Sequence, residues 1–164
     1  MFKKILVAID NTPNSQPVFE GALSLAQMSQ ANLLLLHVLS SEEEGSPLPI
    51  PPSLGDPYAV AAGSEVVLES WLKQWEIYES ECLKQLQGRA AEANTVGVTA
   101  EFRQVRGSGG RTICSIAQSW AADLIVIGNR GRSGLSELFL GSVSNYVLHH
   151  APCSVLTIKV TPHL

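Results

Sequence analysis

No stretch of this 164-residue chain is apolar over the ~18–20 residues that a membrane-spanning helix needs, so no spanning segment is expected. Charge is scarce too. Eleven Lys and Arg against 15 Asp and Glu leave a formal net charge of −4. That balance argues against general affinity for nucleic acid or for an anionic membrane. Cysteine is limited to Cys82, Cys114 and Cys153, an odd number at wide spacing. Such a set does not make a disulfide framework and favours free, buried thiols in a reducing compartment. The N-terminus runs straight into a strand pattern with no visible signal peptide, so a cytoplasmic protein is expected. Two enzymatic signatures are missing as well. There is no Ser-His-Asp spacing and no His-Glu zinc motif.

What is present is enough apolar sequence for a core: 45% of residues are hydrophobic and 16% charged. The length suits one domain over residues 1–164. Phe2 to Ile9 reads as a first strand. Val18, Phe19, Ala22, Leu23, Leu25 and Ala26 then fall at helical spacing. Asn32 to Leu39 is a second strand, and Ser64 to Ala93 one long helix. Val98 to Val105 alternates as a half-exposed third strand at a sheet edge. Ile113, Ile116, Ala117 and Trp120 mark a short helix. Asp123 to Ile127 is a β-branched run of the kind buried on both faces. A helix from Ser142 to His150, stopped by Pro152, and a last strand from Ser154 to Val160 close the chain. Such alternation demands an α/β fold: a doubly wound, five-stranded parallel sheet with helices on both faces and right-handed crossovers. The expected strand order is 3-2-1-4-5. Ligands bind such sheets beyond the strand ends where the order reverses, here between strands one and four.

Several features have bland explanations. Residues from about 40 to 63 form a proline-rich insertion carrying Pro47, Pro49, Pro51, Pro52 and Pro57, read as a mobile, extended surface segment with a functional flap as the alternative. Glu42, Glu43 and Glu44 read as a solvated cap. His37, inside a run of leucines, reads as a core histidine hydrogen-bonded to backbone, since no second histidine or acidic cluster accompanies it as a metal site would require. Trp71 and Trp75 recur at helical steps, as core or interface residues do. Gly107, Gly109 and Gly110 follow a strand and could form a phosphate loop or only a tight connection. No Lys-Ser or Lys-Thr follows, so they are no Walker motif.

The stretch with chemical content is Asp123 to Ser144. Gly128 and Gly131 leave the carboxyl end of a strand, and nine residues later Gly141-Ser142 opens a helix. Glycine lets a ligand approach the backbone, and a helix N-terminus attracts an anion. Ser142 and Ser144 add hydroxyl donors, and Arg130 or Arg132 charge. Together these suit the phosphates of a nucleotide.

Gly128-x-x-Gly131, nine residues, then Gly141-Ser142 resembles the nucleotide-binding signature of the universal stress protein family. Lys3 to Asp10, Leu35 to Val38 and Ala151 to Leu156 resemble that family's first, second and last strands. The resemblance implies ATP or AMP as ligand. It places adenine and ribose at Ala8, Ile9 and Asp10, with Val38 as an adenine wall. It places ribose and phosphates at Ile127, Gly128, Gly131, Gly141, Ser142, Val143 and Ser144. Asp10 could accept from ribose hydroxyls or hold Mg2+. It could equally cap the following helix. The resemblance also implies a homodimer through the last strand, whose β-branched edge is poorly protected against pairing. Three readings stay open: a nucleotide-binding regulatory or sensor module, a slow ATPase or autophosphorylating enzyme using Ser142 or Ser144, and a flavin or adenylate-transfer relative sharing the doubly wound fold. Asp10 is the only obvious carboxylate at the expected site, so efficient catalysis is not expected.

Overall fold

The computed structural model describes residues 1–49, 64–130 and 141–160. Five strands and four helices follow in strict alternation: β1 (Lys4–Ala8), α1 (Ser15–Ser29), β2 (Asn32–Leu39), α2 (Ser64–Thr95), β3 (Ala100–Arg106), α3 (Gly109–Trp120), β4 (Leu124–Arg130), α4 (Ser142–His150) and β5 (Ser154–Val160). All neighbouring strands are parallel, in the order β3-β2-β1-β4-β5. β1 is central, with Val7 level with Leu35 on one side and Val126 on the other.

The period of two along the strands sorts their side chains into two cores. Ile5, Val7, Leu33, Leu35 and Val126 pack against Phe19, Ala22 and Ala26 of α1 and Leu86, Ala90 and Ala93 of α2. Leu6, Leu34, Leu36, Ile125 and Ile127 pack against Ile113 and Ala117 of α3 and Val147 of α4. The leucine run of β2 is thus divided between the two faces. Full burial of each such side chain stabilises the fold by ~1.5–3 kcal/mol. A third cluster of Leu39, Trp75, Tyr78 and Cys82, flanked by Trp71, joins the end of β2 to α2, where a core or interface role was expected of the tryptophans.

Three strands differ in their boundaries. β4 runs from Leu124 to Arg130 rather than from Asp123 to Ile127, because its pairing with β5 continues through Gly128, Asn129 and Arg130, so Gly128 lies within the strand instead of leaving its end. β1 is shorter than the Phe2–Ile9 read from the sequence, although the Ile9 N–H still donates to the Leu36 carbonyl at 2.9 Å. β3 begins at Ala100 rather than Val98. Gly97, at φ +85°, turns the chain there. Asn94 fastens the turn, its Oδ1 accepting from the Ala100 N–H at 3.1 Å and its Nδ2 donating to the Ala90 carbonyl at 2.8 Å. Of the proline-rich insertion, residues 50–63 lie outside the described residues.

The second glycine turn is explained by helix packing. A Cβ at Gly109 would lie 2.9 Å from Val143 Cγ2, and one at Gly110 would lie 2.7 Å from Tyr146 Cδ1. Their missing side chains let α3 lie directly against α4, the element that opens with Ser142.

Candidate functional site

The pairing of β1 with β4 sets Ala8 level with Ile127, and the pairing with β2 sets Ala8 level with Leu36. Ala8, Val38 and Ile127 belong to the core facing α3 and α4, so these three expected residues share one face of the sheet. Ile9 is buried in the core on the other face. Asp10 follows at the carboxyl end of β1. Its Oδ1 accepts from the Thr12 N–H at 3.0 Å and from the Thr12 hydroxyl at 2.7 Å. This is an Asx turn. It replaces the helix-capping alternative for Asp10, because the residue before α1 is Asn14.

The turn is braced from behind. Ser15 Oγ donates to the Thr12 carbonyl at 2.7 Å and receives a hydrogen bond from Arg89 Nη2 of α2 at 2.7 Å. Burial draws the Arg89 guanidinium below its ordinary pKa, opposed by the attraction of Asp10 and Glu92. Its Nη1 is buried without a partner. Sequence reading missed Arg89, which lies 79 positions from Asp10 in the chain on a helix whose other polar residues line its outer faces.

On the β4 side, Gly128 leaves room for Val18 Cγ2, 3.0 Å from where its Cβ would be. Asn129 was also missed. Its Oδ1 is buried and unpartnered near the end of β4, where as an acceptor it suits a hydroxyl or amino donor of a ligand and not a phosphate oxygen. A buried polar atom without a partner costs ~1–3 kcal/mol, which a ligand donor would recover. Its place inside Gly128-x-x-Gly131 was the available signal. Arg130 ends β4, level with Val160. Gly131 and Arg132 lie outside the described residues.

Gly141 precedes α4, and the first helical bond runs from the Asn145 N–H to the Gly141 carbonyl at 2.9 Å. Helix geometry therefore leaves the N–H groups of Ser142, Val143 and Ser144 without intrahelical acceptors. The two serines differ. Ser142 is exposed, whereas Ser144 is buried and its Oγ donates to the Gly141 carbonyl at 3.0 Å. The Val143 side chain reaches Gly109 of α3. Ser142 is the hydroxyl offered to a ligand, and Ser144 is committed to the helix start.

Two expectations are corrected beside the site. His37 is buried, but side chains hold it rather than backbone. Its Nε2 lies 2.8 Å from Glu43 Oε1 and its Nδ1 lies 3.2 Å from Gln104 Nε2. The imidazole fills the inner face of β2 and needs partners there, because an unpaired ring nitrogen would be stranded among leucines. Glu43 accordingly turns inward from the acidic triplet instead of capping it in solvent. The three cysteines are free, and burial pushes each thiol above its ordinary pKa, Cys82 to about 11. No group of three His, Cys, Asp or Glu among the described residues could hold a metal ion by itself.

A family model described as Universal stress protein family matches residues 1–159. The chain belongs to the universal stress protein family. The universal stress protein Sll1388 of Synechocystis is 35% identical over 158 residues, 96% of this chain and 98% of that protein. Among solved structures, the universal stress protein UspA from Lactobacillus plantarum superimposes with a TM-score of 0.73 at 24% identity, covering 96% of this chain and 97% of that one. A universal stress protein family protein from Arabidopsis thaliana, solved with AMP bound, gives 0.61 at 22% identity and covers 97% of this chain and 92% of that one. At these identities the superpositions establish the fold, the doubly wound parallel sheet expected from the sequence.

Proposed function

We propose that this universal stress protein binds an adenine nucleotide, ATP or AMP, where β1 and β4 end, and acts as a regulatory or sensor module. The observation that carries the reading is the convergence at one end of the sheet of the Asp10 turn, the unpartnered Asn129 Oδ1 and the open N-terminus of α4. The AMP-bound Arabidopsis relative supports the choice of adenine. In this reading Ala8, Val38 and Ile127 flank the base, and Ile9, whose side chain is buried on the other face, contributes through its backbone. Asp10 accepts from the ribose hydroxyls. Gly128, Arg130, Gly131, Arg132, Gly141, Ser142, Val143 and Ser144 surround the phosphates, the last two through backbone N–H groups. Mg2+ commonly binds through one or two carboxylates together with substrate phosphates, so Asp10 could hold it only jointly with the nucleotide.

A binding role is favoured over efficient turnover. Asp10 is the one carboxylate expected at the site, and its Oδ1 is already engaged by two hydrogen bonds within its own turn. The reading includes a homodimer through the β5 edge, where Leu156 is 37% exposed, and a cytoplasmic location. Among the described residues no helix is long and apolar enough to cross a membrane. The test is to release the ligand of the purified protein with acid, identify it by mass spectrometry, and titrate AMP, ATP and GTP into the emptied protein. Adenine nucleotides should bind more tightly than GTP and more weakly to Asp10→Ala. Equal affinity for ATP and GTP, or an unaffected Asp10→Ala protein, would sink the assignment.

A further inference from the structure

Glu43 belongs to an acidic triplet beyond β2, yet its side chain is only 8% exposed and that of His37 only 4%. Its carboxylate meets three elements. Oε1 accepts from the backbone N–H of Asn11, the residue after Asp10, at 3.1 Å. Oε1 and Oε2 lie 2.8 and 3.0 Å from His37 Nε2 on β2. Tyr78 and Cys82 of α2 approach closely enough for its charge to help hold both in their protonated forms, after burial itself. Beneath these groups is a recess with room for about one water, lined in part by Asp10, Asn11, His37, Cys82 and Arg89.

Gln104 decides where the His37 hydrogen sits. Its Nε2 donates to the Glu79 carbonyl at 3.1 Å and lies 3.2 Å from His37 Nδ1. An amide nitrogen has only hydrogens to offer, so Nδ1 accepts. The ring hydrogen is then on Nε2 and goes to Glu43. Turning the amide over would set its oxygen against the Glu79 carbonyl, which closes the alternative. A continuous chain of hydrogen bonds links α2 through β3 and β2 to the residue beside Asp10, with Gln104 donating on both sides and Glu43 accepting from both His37 and Asn11.

We propose that Glu43 is a positioning residue for the nucleotide end of β1. It holds the Asn11 N–H and so fixes the turn from Asp10 to Thr12 that aims the Asp10 carboxylate. Through His37 and Gln104 it ties that turn to the opposite edge of the sheet. The role in binding rests on the nucleotide reading above. The hydrogen-bond chain does not.

The experiment uses the full chain, with AMP as probe. The nitrogen shifts of the His37 imidazole are measured in the wild type. Asn11 amide exchange and AMP affinity are measured in the wild type and in Glu43→Gln. His37 should be neutral with its hydrogen on Nε2. In Glu43→Gln the Asn11 amide should exchange about tenfold faster and AMP should bind about tenfold more weakly, as exchanging a charge-assisted hydrogen bond for a neutral one implies. A His37 hydrogen on Nδ1 overturns the proposal in the wild type alone, whatever the variant's stability. Faster Asn11 exchange with unchanged AMP affinity overturns the positioning role, and unchanged exchange overturns the whole chain. A wild type that binds no AMP sinks the nucleotide reading and the positioning role with it. Asn11 exchange then still decides whether Glu43 holds the turn.

Discussion

Gly110→Ala places a methyl group where α4 already lies. An ideal Cβ at that position falls 2.7 Å from Tyr146 Cδ1, 2.8 Å from Tyr146 Cβ and 2.9 Å from Tyr146 Cγ. The ring could swing aside. Cβ could not, since it moves only with the α4 backbone. Overpacking of this kind costs ~1–3 kcal/mol. Alanine's helix propensity works against the loss by up to ~1 kcal/mol, and less in the first turn of α3, where Gly110 sits. The net is a destabilisation of about 1–2 kcal/mol, or a fall in Tm of about 2–8 °C for a chain of this size. Gly88 supplies the control. It lies in the exposed interior of α2, and a Cβ there meets nothing within 4 Å. The same substitution should therefore stabilise by about 0.5–1 kcal/mol. Thermal and urea unfolding of Gly110→Ala and Gly88→Ala should move in opposite directions. Because α4 carries Ser142, Gly110→Ala should also weaken AMP binding, while Gly88→Ala should not. A Gly110→Ala protein at least as stable as wild type would refute the close contact between α3 and α4.

Alkaline stability follows from Cys82. Burial lifts its thiol from the ordinary 9.0 to about 11, so as pH rises the unfolded chain loses this proton first. Stability should be unaffected by this group below about pH 9 and fall between about pH 9 and 11, a slope that Cys82→Ala should remove in a series of Tm measurements. Tyr78 is raised in the same direction by burial and by Glu43, so a decline above about pH 10 should persist in that variant. For assembly, Leu156→Arg should convert a dimer to a monomer in light scattering without unfolding it, since Leu156 is exposed on the β5 edge. Ile158 is a poorer probe because it packs onto Gly21 of α1, and its loss would also disturb the core. For turnover, ATP hydrolysis should fall far below the ~1–1,000 s⁻¹ of ordinary enzymes. Steady turnover within that range, lost in Asp10→Asn, would favour the enzyme.

The strand order was legible because each element carries its own period. β-branched runs and helices with apolar residues every third or fourth position point to a doubly wound sheet once crossovers are right-handed, and 3-2-1-4-5 is one of the few orders such a sheet takes. Gly141 was legible at a helix start for the same local reason, whereas Gly128, read as a turn, lies inside β4. What escaped was everything decided by distant residues. Gly109 and Gly110 look like a phosphate loop until Val143 and Tyr146, more than 30 positions onward, are brought against them. Glu43 looks solvated because its neighbours Glu42 and Glu44 share its charge. No local rule says which of three consecutive carboxylates turns inward. One signal was available. A single imidazole among the leucines of β2 must find polar partners on both nitrogens, or it would destabilise the strand that holds it. That requirement foretells partners for His37 and is silent on their names. Glu43 lies six positions away through a turn, and Gln104 is its neighbour only because β2 pairs with β3 in a register that sets the two level. The turn at Asn94 and Gly97 helps set where β3 begins, and with it the register that brings Gln104 level with His37.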